Sequence, residues 1–371
     1  MAQQFAYVGS YTRDATGGWR YAPGAKRSEG IDVYEFDPQT GDLAYVQTAP
    51  SQNPSFLAFH PSQNYLYAVN EIDDYEGNEA GSIEAFAIDS ATGKLTFLNR
   101  QAIGTIPAHL AVDPTGSYVV VANYLGGTFQ LLPIAKDGSL NEVSSTITQR
   151  GSGPVLPRQA DPRPHSVVFD PSGKYIVTTD LGTDQVQVFQ IENGQLVEVA
   201  ETKVAPGSGP RHVAFHPNGK LFYVINEIGA TITLFPFDPN SGQVGEELQM
   251  ISTVPDDFPQ KRSTAEIMIH PSGNFLYSSN RKIAEHPVAD AIVTFRVDGD
   301  SGKLTRMGYT TEGIHMPRAF SLDPTSERLY VLNQTGDSIV RFDVDQETGA
   351  LTSTGVVAET PVPVTIAFKT A

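Results

Sequence analysis

The feature that most constrains this chain is a hairpin that recurs along its length. Six turns of the form His/Asp-Pro-x-x, at His60, Asp113, Asp170, His216, His270 and Asp323, place their prolines 53, 57, 46, 54 and 53 residues apart. Self-similarity at that period marks a repeat architecture rather than a string of unrelated domains. The copy at Gly207–Glu227, GSGPRHVAFHPNGKLFYVINE, shows its parts. An apolar run, Arg211–Phe215, leads through His216-Pro217-Asn218-Gly219 into the β-branched and aromatic run Leu221–Asn226. Such runs favour extended chain, and Pro and Gly set the turn. In an antiparallel pair Arg211 and His212 then lie beside Asn226 and Glu227, at the end opposite the turn.

A second motif, roughly Asp-x-x-Thr/Ser-Gly-x-Leu, punctuates each unit at Gly41, Gly93, Gly138, Gly194, Gly242, Gly302 and Gly349. Each glycine sits between an alternating strand and another short one, where a hairpin needs a positive φ. Seven of these turns accompany six of the first kind, so one unit lacks its opening strand. Pro363–Phe368 (PVTIAF) matches Pro54–Phe59 (PSFLAF), and the N-terminal Phe5–Gly9 and Ile31–Phe36 supply the remainder. The expectation is an all-β chain: a seven-bladed β-propeller of four-stranded blades, a single domain over 1–371, its ring closed by the two chain ends. Closure removes open sheet edges. The absence of helical periodicity, with 33 Gly and 26 Pro, suits a turn-dense chain.

Composition removes several functions. A net charge of −17 argues against nucleic acid or an anionic membrane as partner. With no cysteine there is no thiolate nucleophile, disulfide or zinc–thiolate site. No apolar run is long enough to span a bilayer, and the N-terminus carries no leader-like pattern, so a cytoplasmic protein is expected, monomeric or weakly self-associating. Gly151-Ser152-Gly153 and Gly207-Ser208-Gly209 have no helix after them and read as blade linkers, and neither G-x-S-x-G nor H-E-x-x-H occurs.

Internal repeats separate architecture from chemistry. The turn histidines His60, His216 and His270 share a position with aspartates and read as acceptors of turn backbone hydrogen bonds. Phe59, Val112, Phe169, Phe215, Ile269, Leu322 and Phe368 read as core between blades. The opposite rim varies. One position carries Ser55, Ala108, His165, Arg211, Ala265, Arg318 and Val364, and the next Phe56, His109, Ser166, His212, Glu266, Ala319 and Thr365. Beyond the second strand come Ser10, Glu71, Tyr124, Leu181, Glu227, Arg281 and Gln334. First strands line a propeller's channel, so these sets converge on one mouth holding three arginines, three histidines and three glutamates. On so acidic a chain that cluster reads as a ligand site for an anionic small molecule. Glu71, Glu227 and Asn226 are an alternative set for a divalent ion, which the rim arginines oppose.

YVGSYT at Tyr7–Thr12, SEGIDVYEFDPQTG at Ser28–Gly41, GPRHVAFHPNGK at Gly209–Lys220 and IMIHPSGNFLYSSNR at Ile267–Arg281 resemble the propeller lactonase family. That family contains bacterial propeller-type 6-phosphogluconolactonases and fungal 3-carboxy-cis,cis-muconate lactonizing enzymes. The resemblance runs through all the blades. It implies catalysis by His165, Arg211, Glu227 and Arg281; the remaining polar rim positions, Glu71, His109, Tyr124, His212, Glu266 and Arg318, are the substrate-binding candidates. It also implies a sugar-lactone hydrolase of the 6-phosphogluconolactonase kind, without metal or other cofactor; a muconate-type cycloisomerase and a non-catalytic interaction propeller are the alternatives. Lactone hydrolysis needs a base for water and a donor for the developing oxyanion. Glu227 or His165 can supply the first, Arg211 or Arg281 the second. Arg318, Lys282 and the cations of the loop Arg13–Glu29 (Arg20, Lys26, Arg27, beside Trp19) are candidates for a substrate phosphate, and that loop for a lid.

Overall fold

The computed structural model describes residues 3–14, 25–259, 262–281 and 286–369. Every repeat folds into one four-stranded antiparallel sheet, and seven such sheets make a seven-bladed β-propeller. The first blade has the order Pro363–Lys369, Gln4–Ser10, Gly30–Phe36, Leu43–Pro50, so both chain ends share it. Their pairing runs from Phe5 opposite Lys369 to Gly9 opposite Thr365. Blades 2 to 7 follow in chain order and open on Pro54–Phe59, Pro107–Val112, Pro164–Phe169, Pro210–Phe215, Thr264–Ile269 and Pro317–Leu322. Among the described residues no helix is long and apolar enough to cross a membrane.

Burial follows position within a blade. The second strand Leu221–Asn226 is buried at all but its first residue, because both of its faces meet neighbouring blades. The outermost strand Leu351–Glu359 instead alternates, as a strand with one wet face should. The core is a ring of clusters that cross blade boundaries: Tyr175 and Val188 of blade 4, for example, pack with Val213, Phe222 and Phe235 of blade 5. The seven positions from Phe59 to Phe368 each belong to a different one of these clusters, as their repeat position implied.

Turn chemistry agrees as well. All seven punctuating glycines adopt positive φ, between 69° and 83°. His60 Nδ1 accepts from the backbone N–H of Ser62 and Gln63, and His216 Nδ1 from that of Asn218. One device was not read from the repeats. Tyr7, Tyr67, Tyr223, Tyr277 and Tyr330 occupy the same place in five second strands, and each hydroxyl donates to the carbonyl of the punctuating glycine in the next blade at 2.6–3.0 Å. The bond from Tyr330 to Gly41 joins blade 7 to blade 1.

Candidate active site

The mouth of the channel is built by one irregularity repeated around the ring. In every blade the pairing of first and second strands skips just after the strand begins. The residues left without a partner are Val364, Ser55, Ala108, His165, Arg211 and Arg318, with Ala265 and Glu266 in blade 6. A β-bulge re-aims the side chain it carries. The variable rim set is therefore the set of bulged residues. In front of the strand, Asn53, Ile106, Met316 and Val362 take left-handed φ of 44–51°, and Gly209 takes 65°. The branched Ile106 and Val362 are costly there, by roughly 1–3 kcal/mol each.

Inside the mouth lies a cavity of about 250 Å³. Every residue read as catalytic, His165, Arg211, Glu227 and Arg281, lines it, and so do Glu71, Tyr124 and Arg318. Tyr11, Ile106, Ala108, Arg158, Met316 and Gln334 complete the wall.

Glu227 is the hub of one side. Arg281 Nη2 is 2.9 Å from its Oε1, Arg211 Nε is 3.0 Å from its Oε2, and Arg158 also bonds Oε1. His165 Nε2 stands 4.0 Å from Oε2. Burial alone would raise the pKa of Glu227, but the guanidiniums of Arg281, Arg158 and Arg211 outweigh it and hold the carboxyl well below its usual range. The His165 pKa is also lowered, here by burial first and then by Arg211, His212 and Arg318, which keeps its imidazole neutral. Arg211 is 1% exposed, and burial with Arg281 lowers its pKa to about 10, which still leaves it charged. On the far side Arg318 Nη2 donates to Glu71 Oε2 at 2.9 Å, Tyr11 donates to Glu71 Oε1 at 2.8 Å, and the Arg318 guanidinium lies 5.4 Å from the Tyr11 ring centre. Four guanidiniums thus face two carboxylates in the wall, a surplus of two positive charges on a chain of net −17.

His109, His212 and Glu266, read as substrate-binding, are not in this wall. They lie behind His165 and Arg211 in a packed aromatic group. Phe56 and His109 are 3.8 Å apart between ring centres, His109 and His212 5.1 Å, and His212 and His165 5.3 Å. Successive strand residues point to opposite sides, so His109 and His212, each following a bulged residue, are turned away from the mouth; Glu266 lies inside the two-residue irregularity of blade 6 and is 2.8 Å from His212 Nδ1. The divalent-ion set also separates. Glu71 and Glu227 carry guanidiniums, and the buried Asn226 gives its amide to Thr231 and Thr233. Among the described residues no group of His, Asp and Glu is arranged to hold a metal. Lys26 lines a separate groove with His315, Asp337 and Glu359, and Arg27 is 3.8 Å from Asp14. Trp19, Arg20 and Lys282 lie outside the described residues.

The functional group that sequence reasoning missed is Arg158. It arrives from the irregular stretch 149–163 between blades 3 and 4. That stretch is pinned: Gln159 Nε2 donates to the Leu181 carbonyl and to Asp184 Oδ1, both at 2.8 Å, and Arg163 N donates to Asp180 Oδ1 at 2.7 Å. The available signal was the 57-residue proline spacing, the longest in the chain, with three arginines in the extra length. Tyr11 was also missed, although it ends the YVGSY string.

The chain is similar to known proteins in both sequence and fold. The family described as lactonase, 7-bladed beta-propeller, matches residues 5–368. A 6-phosphogluconolactonase of Bacillus subtilis (strain 168) is 34% identical over 337 residues, which are 90% of this chain and 89% of that one. A 6-phosphogluconolactonase of Formosa agariphila is 33% identical, over 88% of this chain and 89% of its own. The structure of a periplasmic gluconolactonase of Pseudomonas aeruginosa superposes with a TM-score of 0.86, at 28% identity and over 99% of both chains.

Proposed function

This chain belongs to the seven-bladed β-propeller lactonase family, and we propose that its substrate is an anionic sugar δ-lactone of the 6-phosphogluconolactone kind, opened by water at the channel mouth. The observation that carries the anionic preference is the surplus of guanidinium over carboxylate in the pocket wall. A net charge of −17 would otherwise repel such a substrate. The names of the relatives from B. subtilis and F. agariphila support the phosphorylated substrate.

The electrostatics support a division of labour. Glu227, held ionised by three guanidiniums, is a poor proton acceptor. His165 is neutral and has a lone pair to offer, although burial and the neighbouring cations weaken it as a base. It takes a proton from water; the oxygen attacks the lactone carbonyl carbon, and the carbonyl electrons move onto oxygen. Arg211, whose Nη2 makes no hydrogen bond among the described residues, meets that oxyanion. Collapse breaks the ring C–O bond, and His165 returns the proton to the leaving alkoxide. Glu227, 4.0 Å away, stabilises the imidazolium in between. These steps use the chain's own residues and call for no metal or organic cofactor.

The test is kcat/KM for 6-phosphoglucono-δ-lactone beside glucono-δ-lactone, with a carboxymuconolactone as third substrate. A charge-assisted contact to phosphate, at ~1.5–3 kcal/mol, predicts about a 10–100-fold preference for the phosphorylated lactone. Equal efficiencies would remove the phosphate from the reading. Turnover of the muconolactone alone would replace hydrolysis by cycloisomerisation.

A further inference from the structure

We propose that His212 and Glu266, behind the pocket wall, are positioning residues that aim Arg211 at the reacting carbonyl. The inference rests on the oxyanion role given to Arg211 above. Arg211 Nη1 donates to the Ala265 carbonyl at 2.7 Å and lies 3.1 Å from His212 Nε2. A guanidinium has only N–H groups to offer. His212 Nε2 must therefore present its lone pair, which puts the imidazole proton on Nδ1. Nδ1 lies 2.8 Å from Glu266 Oε1 and donates to it. Glu266 is itself fixed, since Oε1 also accepts from Ile267 N at 3.0 Å and its own N–H donates to Ser279 Oγ at 2.9 Å. Carboxylate, imidazole and guanidinium form one directed chain from blade 6 to blade 5.

The chain works only while His212 is neutral. A protonated ring would turn a donor toward Arg211 and break the contact. Burial disfavours that proton, and Arg211 and Arg318 repel it; the neighbouring rings are His109, His165 and Phe56. The fold does not itself require an imidazole here. Sister blades carry Phe56, Ser166, Ala319 and Thr365 at this repeat position, with Glu266 in blade 6 and a second imidazole, His109, after Ala108 in blade 3. Nor does every rim arginine use one: Arg318 is followed by Ala319 and is held by Glu71. His212 is present where a guanidinium in this wall takes an imidazole as its acceptor.

The experiment compares His212→Phe, His212→Gln, Glu266→Leu, the His212→Phe/Glu266→Leu double variant and Arg211→Ala, measuring kcat and KM on the phosphorylated lactone and thermal unfolding. His212→Phe keeps a flat ring but loses the acceptor, and should lower kcat about 10-fold, short of the ~10²–10³-fold expected for Arg211→Ala. KM should stay within about threefold, because ground-state binding is not what the contact provides. His212→Gln places an amide oxygen near the Nε2 position and should recover most of kcat. Glu266→Leu should resemble His212→Phe, and the double variant should be no worse than either, since both act through one contact. A His212→Phe enzyme with parental kcat, a Gln variant as impaired as Phe, or additive losses in the double variant would each overturn the inference. Parental kcat in Arg211→Ala would instead overturn the reading of the site on which it rests.

Discussion

Asp180 is the carboxylate that departs from its repeat. The last residue of the second strand is Asn in blades 2, 3, 5, 6 and 7, and there the amide nitrogen finds acceptors, as Asn123 does in Thr128 and Gln130. In blade 4 the position is Asp180. Its Oδ1 accepts from the backbone N–H of Arg163, Gly182 and Thr183, while Oδ2 is buried without a hydrogen bond. Gln187, in the place of Gln130, also has an orphaned buried oxygen. Burial pushes the Asp180 carboxyl from 3.8 up to about 6, against the lowering effect of the backbone donors. The folded state thus holds this proton more tightly than the unfolded one, so its contribution is complete below pH 3.8 and is lost as pH rises through about 6. About two pKa units at ~1.4 kcal/mol each make about 3 kcal/mol. Asp180→Asn keeps the Oδ1 acceptor and restores a donor. It should unfold at higher urea than the parent at pH 7.5, by up to that amount, and at the same urea at pH 4. A variant less stable than the parent at pH 7.5 would show that the ionised carboxylate is worth more to its three N–H donors than its burial costs.

At the scale of elements, the turns were legible and the bulges were not. A glycine that recurs at the hairpin position reports a positive φ directly, and all seven adopt one. A bulge is a relation between two strands and leaves no composition of its own. That is why His109 and His212 were grouped with the mouth when one residue of offset puts them behind it, and why Glu266, in the longer irregularity of blade 6, was grouped with them. The tyrosine latch was legible in principle: YLYAVN, LFYVIN, FLYSSN and RLYVLN repeat the same third residue. Its partner lies 71 to 289 residues away and could not be read. Burial raises the pKa of each of these phenols, so they stay donors at ordinary pH. Tyr277→Phe would leave the Gly349 carbonyl without this donor, at about 1–3 kcal/mol. Tyr45→Phe removes a hydroxyl from a residue 63% exposed and should stay within ~0.5 kcal/mol. Equal urea midpoints for the two variants would mean that the latch contributes nothing between blades.

The whole molecule was legible because a propeller is a count. Six turns against seven glycines demanded a shared blade, and the pairing of Gln4–Ser10 with Pro363–Lys369 supplies it. Arg158 comes from outside the repeat, so only the long proline spacing marked the stretch that carries it. Ring closure has a mechanical consequence for the site. Val364 abuts the mouth through its carbonyl, which accepts from Arg318 Nη1 at 3.3 Å, and Arg318 in turn holds Glu71 of blade 2. The same C-terminal strand therefore joins blades 7, 1 and 2. Removing the residues after Val362 takes away the strand paired with Gln4–Ser10, exposes the edge of Gln4–Ser10, and leaves Ala6, Val8 and Tyr330 without Ile366 and Phe368 in their cluster. Loss of the apolar contact alone, at ~1.5–3 kcal/mol for each large buried side chain, is a large share of the 5–15 kcal/mol that a domain typically has. The truncated chain should lose its single cooperative urea transition, and adding a peptide of the sequence PVPVTIAFKTA should restore it by refilling the gap. A truncated protein that unfolds at the parental midpoint, with or without the peptide, would show that the ring does not depend on this closure.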